Sequence, residues 1–388
     1  MFLIDKPFAS DFLINTIKEN HFKIVATKEA KELITDDSLH WVSENEAILE
    51  IENDPTVSVY TNSENSIAWI FKKIKDSKLP HQIQLFKDKF KFRELIRDTF
   101  PYFFYKTVAL EDIQNLSLDD LKFPFVIKPS LGFFSIGVHI VHNANDWNTA
   151  KEELNYDNLK SIYPEEVLNT SLFIIEEYIE GEEYAIDCYF NDKGEVVILN
   201  ILHHRFSSGT DVSDRVYSTS KDIILTHKNE VKAFLNPLGK KTGLRNFPLH
   251  VEIRIDKNGT IKPIEINPLR FGGWCTTADL GWHAFGFNSY EYYINNNKPD
   301  WEQIFNIRSN KIYSIVILNN NSGYKTSEIT EFDYISLEND FENVLLMRKL
   351  DIKEYPVFGF VFIETSLNNK KELNNILVST LKKYISVI

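Results

Sequence analysis

The sequence predicts a mixed α/β and α+β protein in three parts, and three observations carry that expectation. The 388 residues are 43% apolar and 13% aromatic, which supplies more than one core at roughly 150 residues per domain and excludes disordered and collagen-like chains. Twelve of the 14 glycines lie between Gly132 and Gly286, so the tight turns gather in the middle of the chain. That same middle stretch reads as strands joined by turns, while both ends mix helical and strand periods.

The elements follow in order. Residues 1 to 85 combine an amphipathic stretch (Phe12, Leu13, Ile17) with apolar bursts at Phe22-Lys23-Ile24-Val25 and Val57-Ser58-Val59-Tyr60, the pattern of a small α/β unit. Around Asp88 the period becomes helical through Phe92, Leu95 and Ile96 until Pro101 stops it. From Phe123 the text runs strand, turn, strand: Phe125-Val126-Ile127, the Pro129–Gly137 turn, then Val138-His139-Ile140-Val141. A helix over 146–154 starting from Asn145 or Asp146, and a strand at Leu172-Phe173-Ile174-Ile175, come next. Two hairpins are signalled by Asn191-Asp192-Lys193-Gly194 and Asp256-Lys257-Asn258-Gly259, residues that tolerate positive φ. The last part offers strands at Ile312–Val316 and Val357–Ile363 and a helix from about Lys371 to Tyr384, a small α+β module capping the rest.

Lys plus Arg number 43 against 56 Asp plus Glu, a net charge of −13, which repels phosphate backbones and anionic lipid over most of the surface. Nucleic acid and membrane are therefore not expected partners. Cys188 and Cys275 are too few for a disulfide framework or a four-thiolate zinc site and read as small buried side chains. No run of about 18 apolar residues occurs, and the charged start Met1-Phe2-Leu3-Ile4-Asp5-Lys6 does not read as a signal peptide. A cytoplasmic protein is the expectation.

Three clusters carry chemistry. A two-residue turn at Asn258-Gly259 sets Glu252 opposite Glu265 and His250 opposite Asn267, with Val251, Ile253, Ile264 and Ile266 on the apolar face. Facing carboxylates destabilise a sheet unless a cation lies between them, and the Asn267 oxygen completes a set that suits a hard cation such as Mg²⁺; a solvated polar face is the alternative. The second cluster, Lys128-Pro129-Ser130-Leu131-Gly132-Phe133-Phe134-Ser135-Ile136-Gly137, sets a strand-end lysine before a turn whose N–H groups and Ser135 hydroxyl suit phosphate oxygens, or is an ordinary connection. The third, Glu176-Glu177-Tyr178-Ile179-Glu180-Gly181-Glu182-Glu183, runs an apolar strand into an acidic turn, where carboxylates accept from an adenine amine and ribose hydroxyls or simply face solvent.

Together and in this order, the three clusters resemble the ATP-grasp superfamily over about residues 86 to 295. The resemblance implies an ATP-grasp fold with an N-terminal Rossmann-like pre-grasp domain over 1–85, the grasp domain over 86–300 with a lid at about 120–180, and a C-terminal α+β module over 301–388. It implies that Lys89 and Lys128 contact the phosphates, that Glu176, Glu177 and Ile179 form the adenine segment, that Glu183 meets the ribose, and that Glu252, Glu265 and Asn267 hold Mg²⁺. Lys87 competes with Lys89, and the preceding Asp88 favours Lys89. Many members carry an arginine two positions after the metal-binding asparagine; here Leu269 stands there and Arg270 follows one residue later.

The implied activity is that of an ATP-dependent carboxylate-amine ligase, ADP-forming, acting on small-molecule acid and amine, with Arg270 and also Arg205 or Arg215 holding the carboxylate. A homodimer is compatible with it. The alternatives are a carboxylase working through carboxyphosphate, disfavoured by the lack of a Met-Lys biotin-attachment pair, and a nucleotide-binding protein without turnover. The polar segment from His203 to Arg215 reads as a loop that closes on substrate or as a plain solvent loop; its paired histidines lack a third ligand for zinc. Trp274, Trp282 and His283 are expected to pack a core rather than wall a pocket.

Overall fold

The computed structural model describes residues 1–132, 137–154, 169–208, 213–308, 310–355 and 357–388, with Asn169 and Thr170 described by backbone alone. Near the N-terminus four two-residue strands pair in parallel in the spatial order Trp41–Val42, Ile24–Val25, Phe2–Leu3, Tyr60–Thr61. Helices Asp11–Glu19, Lys28–Leu33, Glu44–Asn53 and Asn65–Lys73 follow the strands. Side-chain caps at Ser10, Thr27 and Ser43 start the first three by accepting from backbone N–H groups that have no helical partner. Phe2, Leu3, Ile24 and Val25 are buried, as expected for strands covered on both faces.

A four-stranded antiparallel sheet follows, ordered Tyr105–Ala109, Asn169–Glu177, Phe125–Leu131, His139–Val141. Its core joins Phe125, Ile127, Phe173 and Ile175 to Trp147 and Ala150 of helix Ala144–Glu153. That helix is capped by Asn143, two residues before the earlier of the starts expected.

Eight antiparallel strands make the large sheet: Ile261–Pro268, Phe247–Ile255, Glu182–Phe190, Val196–Arg205, Val216–Thr219, Ile312–Asn319, Val357–Thr365 and Val344–Lys349, in spatial order. Strands Ile312–Asn319, Val344–Lys349 and Val357–Thr365 thus extend this sheet, while Ile329–Phe332 and Ile385–Val387 pair separately. A smaller core beyond it gathers Val316, Phe332, Phe358, Leu373 and Tyr384. The C-terminal helix ends at Leu377, short of the expected Tyr384, and Leu381 then takes a left-handed φ of 62°. Helix Lys221–Thr242, which the sequence reading did not anticipate, packs Ile224, Val231, Leu235 and Leu238 into the main core. Among the described residues no helix is long and apolar enough to cross a membrane.

Candidate active site

The strands Phe247–Ile255 and Ile261–Pro268 pair with Glu252 opposite Glu265 and His250 opposite Asn267, as the sequence predicts, but by a different route. Near the turn Ile255 pairs Ile261 and Ile253 pairs Pro263, because Asp256 N–H donates to the Thr260 carbonyl and three residues, not two, form the loop. A bulge at Ile264 then shifts the register by one and cancels that offset. Ile264 accordingly leaves the core face expected for it: it is half-buried, lines the cleft, and its carbonyl accepts from Arg93. Val251, Ile253 and Ile266 remain in the core.

The facing carboxylates are electrostatically unequal. Burial and then the repulsion of Glu265, Glu183 and Asp214 push the Glu252 pKa well above the ordinary range. Burial acts on Glu265 in the same direction, but Lys89 at 3.0 Å, with Lys128, holds it down. Asn267 Nδ2 donates to Glu265 Oε1 at 3.3 Å, which leaves the amide oxygen as a donor atom for a cation. Among the described residues no three His, Cys, Asp or Glu side chains converge as a metal cluster. Two carboxylates and one amide oxygen, with one carboxylate disfavoured in its charged form by its neighbour, nevertheless suit an oxygen-seeking divalent cation that would relieve the repulsion.

The two expected lysines approach from different elements. Helix Leu79–Lys87 ends at Asp88, which caps helix Lys89–Ile96 by accepting from Phe90 and Lys91 N–H and also accepts from the Ser130 hydroxyl. Lys89 at the start of the second helix pairs with Glu265 and donates to the Gly132 carbonyl at 3.1 Å. Burial works against its charge, and Glu265, Glu176 and Glu252 more than restore it, raising its pKa. Lys87 is buried against Glu64 and does not line the cleft. Lys128, on Phe125–Leu131, pairs with Glu176 Oε2 at 2.8 Å, and burial lowers its pKa.

Glu176 is nearly enclosed. Arg93 grips its carboxylate through Nε (2.6 Å) and Nη2 (3.2 Å), and the same guanidinium donates to the Pro263 and Ile264 carbonyls. Against its burial, Arg93 and Lys128 hold Glu176 at about 2. Through Arg93 it therefore ties the small sheet to the hairpin that carries Glu252 and Glu265, a task beyond the adenine contact expected of it. Glu177 accepts from Phe104 N–H and lies 3.4 Å from Lys262. The Ile179 carbonyl accepts from Arg254 (2.6 Å). Glu183 lies between His204 Nδ1 (2.8 Å) and Arg254 Nε (3.0 Å), which outweigh its burial and lower its pKa.

At the other end Arg270 lines the cleft and pairs through Nε with Glu64 at 2.7 Å. Leu269 before it takes a left-handed φ of 61°, the backbone feature that accompanies the one-residue offset of the arginine. Gly272 N–H donates to Asp187 Oδ1 and Thr277 Oγ1 (3.0 and 2.8 Å), and a Cβ there would meet Thr277 at 2.3 Å. The other two expected arginines do not reach the cleft. Arg205 reaches Asn374 Oδ1 at 3.1 Å on helix Lys370–Leu377, because its side chain leaves the sheet on the far side of the hairpin. Arg215 is buried, only 1% exposed, and does not line the cleft. Ser135 lies outside the described residues. Trp274 packs against the main core as expected and also lines the cleft, whereas Trp282, beside Phe12, is 44% exposed rather than in the core expected for it.

All of this surrounds one cleft of about 1050 Å³ bounded by the N-terminal sheet, the small sheet and the large sheet. Sequence reasoning missed Arg93, Glu64, His204 and Arg254. Arg93 had a signal, since it stands four residues after Lys89 on one helix face; His204 had one in the hairpin at Asn191–Gly194, across which it pairs with Glu183, and Glu64 had none, because Lys87 and Arg270 are remote from it in sequence.

Residues 121–278 match the family model of the ATP-grasp domain. D-alanine–D-alanine ligase A of Bacillus cereus is 34% identical over 94 residues, 24% of this chain and 27% of that protein. A D-alanine–D-alanine ligase of Bacillus anthracis is 36% identical over 94 residues, 24% and 26% of the two chains. The match thus spans about a quarter of the length of those relatives. The fold is that of an L-amino acid ligase from Bacillus licheniformis (TM-score 0.68, 16% identity, 100% of this chain and 98% of that one). An N5-carboxyaminoimidazole synthase from Aspergillus clavatus, solved with ADP and 5-aminoimidazole ribonucleotide, superposes with TM-score 0.63 at 12% identity, covering 98% of each chain.

Proposed function

Starting from a chain that carries an ATP-grasp domain, we propose an ADP-forming carboxylate-amine ligase whose chemistry occurs in the single cleft among the three sheets. The observation that carries this reading is the convergence of Glu252 and Glu265, face to face, with Lys89, Lys128 and Asn267 on that cleft. ATP lies with its adenine beside Glu177–Ile179, its ribose at Glu183 and its phosphates at Lys89 and Lys128. Mg²⁺ at Glu252, Glu265 and Asn267 supplies charge neutralisation for the triphosphate.

A substrate carboxylate held by Arg270 attacks the γ-phosphorus, forming an acyl phosphate as the bond to ADP breaks. An amine then attacks the acyl carbon, the amide bond forms, and phosphate leaves with the electron pair of the broken C–O bond. Arg270 is placed to offset the negative charge on the substrate carboxylate, while Arg93 keeps Glu176 and Lys128 in place.

The test is the identity of the nucleotide product and the fate of carboxylate oxygen. With an ¹⁸O-labelled acid drawn from a panel of amino acids, the expected products are ADP and labelled phosphate. AMP as the main product, with label in it, overturns the acyl-phosphate route. Bicarbonate as the acid that supports ADP release would assign a carboxylase instead, and no nucleotide turnover with any acid would assign a binding protein.

A further inference from the structure

One wall of the cleft is built on an unusual turn. Trp274 and Cys275 both take left-handed backbone angles, φ 58° each, a conformation that non-glycine residues hold only when their surroundings enforce it. Trp274 lines the cleft beside Phe8, Tyr355 and Phe360, with ring centroids 6.2, 5.5 and 5.6 Å away.

The enforcing group comes from the other end of the chain. Arg348, on the edge strand Val344–Lys349, donates through Nη1 to the Trp274 carbonyl at 2.6 Å and through Nη2 to Asp279 Oδ2 at 2.7 Å. Its guanidinium lies 4.7 Å from the Phe8 ring centroid and 5.3 Å from that of Phe362, so apolar surface covers it. Asp279, on helix Thr276–Phe285, also accepts from Ser10 and Tyr290 hydroxyls at 3.3 Å. The neighbouring strand approaches closely enough because Gly359 faces this point: a Cβ there would lie 2.0 Å from the Arg348 carbonyl oxygen.

We propose that Arg348 is a positioning residue that, by holding the Trp274 carbonyl and the Asp279 carboxylate together, fixes the left-handed turn and so shapes the acceptor end of the cleft. This rests on the ligase reading for the word acceptor, though not for the geometry. Neither Trp274 nor Arg348 meets the phosphate-side residues Lys89, Lys128, Glu252 and Glu265, so the two ends of the cleft respond separately.

Two readouts test it. In Arg348→Met, KM for ATP stays within about twofold while KM for the acid or amine rises by about tenfold or more, the scale of a lost charged hydrogen bond; Arg348→Lys restores part of the loss. The second readout needs no turnover: the Trp274 share of the emission spectrum, taken as the difference between each protein and its Trp274→Phe partner, shifts in Arg348→Met and shifts less in Arg348→Lys. Equal rises in both KM values, or an unchanged Trp274 spectrum in both variants, overturns the proposal. If Arg348→Met does not fold, the Lys variant and Asp279→Asn are read in the same way, and an unchanged Trp274 spectrum in both overturns it. A wild-type chain without ligase activity defeats the reading of the acceptor end but leaves the spectroscopic result decisive for the turn.

Discussion

Glu265 shows how one residue serves two partners. It faces Glu252 across the hairpin and accepts a 3.0 Å ion pair from Lys89, so its charge is already compensated, while Glu252 lacks such a lysine. Glu265→Gln keeps the shape, removes one charge and should abolish turnover with circular dichroism unchanged and a lowered melting temperature, since Lys89 loses its partner; full activity at ordinary Mg²⁺ would remove Glu265 from the site. Lys128→Ala should weaken ATP binding by about 1.5 to 3 kcal/mol, the usual range for a charged hydrogen bond, measured by calorimetry. Because Arg93 remains on Glu176 in that variant, the fold is expected to survive.

At the scale of the element, the hairpin that carries Glu252 and Glu265 depends on two irregularities that cancel. A three-residue loop displaces the register and the Ile264 bulge restores it, so the facing carboxylates need both. Inserting one alanine between Ile264 and Glu265 should turn Glu265 to the opposite face of the strand and abolish metal-dependent nucleotide binding, whereas Ile264→Val should leave binding within about twofold, since an exchange of that size is tolerated. Equal binding by the insertion variant and wild type, in titrations with ADP and Mn²⁺, would refute the need for the facing carboxylates. The hairpin partners of Glu252 were legible because alternation has period two; the bulge was not, because it is imposed by Arg93, which takes the Pro263 and Ile264 carbonyls from another part of the chain.

For the whole molecule, buried ion pairs join the three sheets. Glu64 binds Lys87 and Arg270, and Glu176 binds Arg93 and Lys128. Burial raises both carboxyl groups, and the cations more than reverse this, holding each at about 2 against the ordinary 4.5. Folded pKa values below the unfolded ones contribute stability that is present above about pH 4.5 and is lost as pH falls toward 2. Thermal melting should therefore drop across that window, and Glu64→Gln should flatten part of the drop; a melting temperature constant from pH 5 to pH 2.5 would contradict the pairing. Since these pairs link Tyr60–Thr61, the helix at Lys89 and the hairpin, their loss should open the cleft and separate the sheets together.

The sequence by itself determined the class of fold and the order of the three chemical clusters, because turn residues and two-residue alternation are local signals; it predicted the facing of Glu252 and Glu265 through a two-residue turn, whereas a longer loop offset by the Ile264 bulge gives that pairing. Only the tertiary structure decided that Arg205 and Arg215 lie away from the cleft, that Glu176 is an internal anchor, that three strands after residue 300 extend the large sheet, and that Trp274 lines the cleft as well as the core. Each of these rests on pairs far apart in sequence, such as Arg93 with Glu176, Arg270 with Glu64 and Arg348 with Trp274. Periodicity reports which face a side chain shares with its neighbours in the chain. It carries no information about which distant charge that face will meet once the sheets close around the cleft.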